Sequence, residues 1–174
     1  MKNNKGIESI LKRRSCRAYS KRKIKDELLD KIVQCGSYAP SAMNKQTASM
    51  LVITNSKMVS KLRKLSLKVA SRDCFYGAKV LILVFGNKDE KFVIQDASCM
   101  LENLFVAASA LNISSCWINQ VNDLLNDKNG HKIKEELGLN ENDMVVGTCA
   151  LGYSLDKKEI EPKPRVENHV RYLK

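Results

Sequence analysis

FYGAKVLILVFG (residues 75–86) and, one short turn later, QDASCMLENLFVAASALNISSCWIN (residues 95–119) decide the fold. Lys79–Gly86 is apolar almost throughout, short, and bounded by Gly77 and Gly86, which predicts a buried strand rather than a helix. From Val93 to Leu111 the apolar positions Ala97, Met100, Leu101, Leu104, Phe105, Ala108 and Leu111 recur at helical spacing, and Asn112 suits the helix end. Its small residues, among them Ala97, Ala107 and Ala108, would let another helix approach closely, in the core or at a subunit interface. Ile113–Ile118 then predicts a second strand.

Outward from this centre, helices and strands alternate. Gly6–Arg14 predicts a short helix with Ile7, Ile10 and Leu11 on one face, and Asp26–Ser37 a second one with Asp26 as a plausible N-cap. Ala39–Thr47 is a polar loop leading into a strand at Ser49–Thr54. Asn55 can cap a helix carrying Met58, Leu62, Leu65 and Val69. Helical stretches follow at Val121–Leu125 and His131–Leu137, the latter closed by Gly138, and Met144–Tyr153 predicts the last strand. Ser154–Lys174, with Pro162 and Pro164, is too polar to form a core and reads as a trailing arm. The pattern is that of an α+β chain, a sheet covered by helices on both faces, with residues 1–174 as a single domain.

The formal charge of +11 raises the prospect of an anionic partner, nucleic acid included, although the lysines are dispersed rather than gathered in a stripe. No basic strand interleaved with aromatics and no recognition helix accompanies them. The six cysteines form no CxxC pair and no cluster with histidine, so neither a zinc site nor a disulfide framework is indicated. No stretch approaches a bilayer span and no export signal is evident, which together suggest a cytoplasmic protein. GxGxxG, GxSxG and HExxH are absent, and His131 and His169 lie in polar sequence; no metal is expected, and the chemistry points to a bound cofactor.

Three polar groups stand out. Arg13-Arg14-Ser15-Cys16-Arg17 offers three guanidinium groups and a hydroxyl, apt for a phosphate, though a basic helix end also complements the helix dipole. Ala39–Gln46 concentrates hydroxyl and amide donors that match the edge of a planar heterocycle, or form an ordinary Pro-started turn. Lys163-Pro164-Arg165 adds two cations on the tail.

RRSCR, then PSAMNKQ before a strand, then the two central segments and VVGTCALGY, in this order, resemble the FMN-dependent nitroreductases over nearly the whole chain. The resemblance implies a mixed β-sheet with helices on both faces. It further implies a homodimer with FMN sites at the interface and a C-terminal arm, about 154–174, exchanged between subunits. By the same resemblance Arg13, Arg14 and Ser15 hold the FMN phosphate and ribityl chain, and Arg17 faces the pyrimidine edge and stabilises the reduced flavin. Ser41, Asn44 and Gln46 come from the other subunit, Lys163 and Arg165 complete the phosphate site, and Ser115, Cys116 and Trp117 bring backbone near the ring. NADH or NADPH would deliver hydride, and a nitroaromatic, quinone or similar acceptor would receive it by a ping-pong route, with no protein acid or base required. A flavin-consuming or dehalogenating reaction on the same fold is the alternative. Thr47-Ala48 stands where the family often has an aromatic, and Lys79 replaces its usual Pro, so substrate preference does not transfer. Cys74, Phe75 and Tyr76 could line the acceptor side or simply pack.

Overall fold

A computed structural model describes residues 4–156, 161–167 and 169–174. Helices α1 (Lys5–Lys12) and α2 (Asp26–Ser37) precede strand β1 (Ala48–Ile53), helix α3 (Ser56–Ala70) and strand β2 (Val80–Asn87). Helix α4 (Val93–Ala110), strand β3 (Ser114–Ile118), helices α5 (Val121–Asn126) and α6 (His131–Glu136), and strand β4 (Asp143–Gly152) complete the order. The strands form one sheet in the order β1-β2-β4-β3, every ladder antiparallel. The parallel component expected of a mixed sheet is a single bridge, Ser15 to Ser115, outside the named strands.

The unbroken apolar run of β2 follows from its place in the middle of this sheet, covered on both sides. Leu81 and Leu83 point into a core with Val59, Leu62 and Leu65 of α3 and Leu124 and Leu125 of α5. Val80, Ile82 and Val84 point the other way, against Leu29 and Ile32 of α2 and Ala97, Leu101 and Leu104 of α4. Period-two alternation thus divides one strand between two cores.

Asn55 caps α3 as the sequence predicts, its side chain accepting from the Lys57 and Met58 amides. Asp26 does not cap α2: Lys25 occupies the N-cap, makes no side-chain bond there, and Asp26 lies in the first turn, where its charge complements the helix dipole. The apolar face predicted for α1 is turned outward: Ile7, Ile10 and Leu11 are exposed, while Ser9 is buried. Among the described residues no helix is long and apolar enough to cross a membrane.

Candidate functional site

Helix α1 ends where its sequence turns basic. Arg13 is the C-cap, its amide donating to the Ser9 carbonyl, and the Ser109 hydroxyl of α4 donates to that same carbonyl at 2.9 Å. Arg14 folds back over this end: its Nη1 donates to the carbonyls of Leu11 and Arg13 at 2.8 and 2.6 Å. Its Nε is buried and has no hydrogen-bond partner. The chain then runs along the free edge of β3, Ser15 bridging Ser115 and the Cys16 amide donating to the Ser115 carbonyl at 2.9 Å. Tyr19 anchors the exit, its hydroxyl donating to the Ala150 carbonyl at 3.1 Å.

Arg13 and Arg17 keep their charges uncommitted. Among the described residues the ion pairs are Lys61–Glu136 and Arg63–Asp73, so neither arginine meets a carboxylate. An open cavity of about 1400 Å³ lies alongside, lined by Ser9, Arg13 and Arg14, by Val106 and Ala110 of α4, and by Ser115. Burial pushes the Cys116 thiol up, more than the charge of Arg17 and the hydroxyl of Ser15 pull it down. Burial likewise raises Cys149 well above the usual thiol range. Both shifts favour the neutral thiol over the thiolate.

The Ser41–Gln46 loop is built differently. A turn of 3₁₀-helix at Ala42–Asn44 leads into left-handed backbone, with φ of +53°, +54° and +53° at Met43, Asn44 and Gln46. Each such residue without glycine's freedom costs about 1 kcal/mol and persists only when its surroundings hold it. The Ser41 hydroxyl accepts from the Gln46 amide at 3.0 Å, and Gln46 Nε2 donates to Asn44 Oδ1 at 3.2 Å. The outward tie is Asp96, in the first turn of α4. Its Oδ1 accepts from the Ala42 amide at 2.9 Å and its Oδ2 from the Thr47 hydroxyl at 2.7 Å.

Desolvation by burial pushes the Asp96 carboxyl up, but the Ala42 amide and the Thr47 hydroxyl and amide outweigh it and leave it below the ordinary carboxylate range. With the folded pKa depressed, the ionised carboxylate contributes stability that is complete above the unfolded value, about 4, and is lost as pH falls through the folded value. Denaturant unfolding of the native protein and of Asp96→Asn is expected to differ at neutral pH and to converge as pH falls through the folded value. A gap unchanged at acid pH would contradict this assignment.

Ser15, Arg17, Ser115 and Cys116 are thus brought together beside Arg13 and Arg14. Trp117 projects from β3 on the α4 side, half exposed, its ring centroid 6.0 Å from that of Phe105. Lys163 and Arg165 are exposed and make no hydrogen bond or ion pair among the described residues; residues 157–160 and 168 of the arm lie outside the described ones. Ser41, Asn44 and Gln46 stand apart within one chain. Asp96 anchors their loop at one end of α4 and Ser109 anchors α1 at the other. At 1.5 Å per residue the two anchors are about 20 Å apart.

Sequence reasoning missed Asp96, Ser109 and Tyr19. The signal for Asp96 was an acidic residue in the predicted buried helix; the other two carried none.

A sequence profile described as the Nitroreductase family matches residues 10–73 and 66–153. A protein of Archaeoglobus fulgidus, provisionally named NADH dehydrogenase/NAD(P)H nitroreductase, is 32% identical over 158 residues, covering 88% of this chain and 87% of its own. The crystal structure of a nitroreductase with bound FMN from Bacteroides fragilis superposes with a TM-score of 0.89 at 29% identity, covering 99% of this chain and all of that one. An FMN-dependent nitroreductase from Clostridium difficile superposes with a TM-score of 0.80 at 26% identity, over 95% and 98% of the two chains.

Proposed function

This chain belongs to the nitroreductase family, and from that premise we propose that it is an FMN-dependent oxidoreductase, a single domain working as a homodimer. The reductant is NADH or NADPH and the acceptor a nitroaromatic, a quinone or a similar small molecule. FMN, when bound, supplies the hydride-accepting ring, which alternates between nicotinamide and acceptor in a ping-pong sequence.

The residues present suit that cofactor. Arg14 has an orphaned, buried Nε, and Arg13 and Arg17 have no acidic partner among the described residues. Such guanidinium groups beside the Ser15 hydroxyl form a donor set for a phosphate dianion and a ribityl chain. Lys163 and Arg165 of the arm add charge to the same group. Arg17 would face the pyrimidine edge of a bound FMN, where its positive charge would stabilise the reduced ring. The Ser115-Cys116-Trp117 backbone would lie along the ring.

The observation that carries the two-subunit reading is the separation along α4. A basic cluster and an amide-rich loop anchored about 20 Å apart along α4 favour a flavin shared between two chains. In a pair of chains, Ser41, Asn44 and Gln46 of one meet the arginines of the other. The outward apolar face of α1 and the exposed Val166, Val170 and Tyr172 of the arm are what such an exchange would cover.

Purified protein is expected to be yellow, or to become so with FMN, and to bleach anaerobically on addition of NADH or NADPH. Colourless protein that takes up no FMN would remove the assignment. Arg17→Ala is expected to lower the reduction potential of the bound flavin by a few tens of millivolts, about 30 mV for each 1.4 kcal/mol of lost stabilisation. The dimer should remain intact; an unchanged potential would strip Arg17 of its role.

A further inference from the structure

We propose that Asp96 is a positioning residue of this site: its buried carboxylate clasps both ends of the Ala42–Thr47 turn and so sets Asn44 and Gln46, with Ser41 beside them, in the arrangement that meets the flavin. The inference rests on the reading of that loop as a flavin contact and adds the residue that gives the loop its shape.

Asp96 is the one charged side chain that is buried among the described residues. A lone buried carboxylate is costly unless hydrogen bonds satisfy it, and here each oxygen takes a different partner, one at either end of the turn. Among the described residues, every side-chain hydrogen bond joining residues 41–47 to a distant part of the chain ends on it. The other bonds, Gln46 to Ser41 and Gln46 to Asn44, are internal to the loop and travel with it. Between the clasped ends lie three left-handed residues, none of them glycine. Released from Asp96, they would relax to ordinary backbone and carry the Asn44 and Gln46 amides away from their present directions. Met43, Asn44, Lys45 and Gln46 are all exposed, so the loop's own burial gives it little hold.

The full-length protein and its Asp96→Asn and Thr47→Val variants separate the possibilities. Asparagine keeps the size of the side chain but puts a donor where one of two acceptors was. Valine removes only the hydroxyl partner. Three quantities are compared: FMN dissociation constant by fluorescence titration, the visible spectrum of bound FMN, and the rate of tryptic cleavage after Lys45 in the cofactor-free protein. Each variant is expected to weaken FMN binding about tenfold, alter the shape of the flavin bands and speed cleavage after Lys45, alongside the loss of stability that Asp96→Asn carries at neutral pH. A purely structural role would lower stability and leave FMN affinity and the flavin spectrum alone. Native affinity, spectrum and cleavage rate in both variants would overturn the proposal. If the native protein takes up no FMN while the variants still cleave faster, the clasp stands and the flavin reading falls.

Discussion

Arg13→Ala is expected to yield a folded protein that binds FMN ten to one hundred times more weakly than the native chain. A hydrogen bond from guanidinium to phosphate contributes about 1.5–3 kcal/mol, and each 1.4 kcal/mol is tenfold in the dissociation constant. Arg13 meets no carboxylate among the described residues, so the substitution loses the contact without freeing a competing acid from among them. The ordinary alternative is a helix-end charge. Arg13 caps α1, and a cation there complements the helix dipole, worth 0.3–1 kcal/mol of stability at an exposed site. The two roles leave different marks. Loss of a dipole complement lowers the melting temperature slightly and leaves FMN affinity alone. Loss of a phosphate ligand weakens FMN, and the salt dependence of binding should flatten with one charge fewer. Arg13→Lys, which keeps the charge but not the planar fork, is expected to fall between. Native affinity in Arg13→Ala would exclude the residue from the phosphate site.

Much of this architecture was legible because it is local. Asp26–Ser37 shows its period within twelve residues and emerges with those bounds. The continuous run of β2 needed only its length and flanking glycines. What escaped was of another kind. That Ile7, Ile10 and Leu11 face outward depends on which surface α1 presents to α4, and helical period alone cannot tell a face kept for the core from one kept for another chain. Asp96 escaped because its partners are 54 and 49 residues away. In sequence it is an acid in a helix's first turn, where dipole complementarity is explanation enough. Tyr19 escaped for the same reason, with its acceptor 131 residues distant. The basic cluster could be singled out from its density, but nothing in its spacing showed that Ser15 would pair with Ser115 and leave Arg14 Nε without a partner.

Gly147→Ala is the stability test with the largest expected effect, and it reaches the site through packing. Val84 pairs with Gly147 while Phe85 pairs with Val145, so this glycine lies beside a shift in register on β4. A methyl built on it would meet Trp117 Nε1 at 2.7 Å and Leu101 Cδ1 at 2.9 Å, one from the neighbouring strand and one from α4. Overpacking of this kind costs about 1–3 kcal/mol, a fall in melting temperature of roughly 2–4 °C for each kcal/mol at this chain length. Trp117 is the sole tryptophan, so its displacement should also be read directly as a change in emission. Gly138→Ala is the informative control. Its φ is +72° with no atom within 4 Å of the added methyl, so it carries only the backbone penalty, about 1 kcal/mol. Its emission should match that of the native protein. Because Trp117 shares β3 with Ser115, to which Ser15 is bridged, crowding at Gly147 should also weaken FMN, by less than Arg13→Ala does. Unaltered stability and emission in Gly147→Ala would show that the ring has room to move, and would detach Trp117 from the packing that fixes β3 beside Ser15.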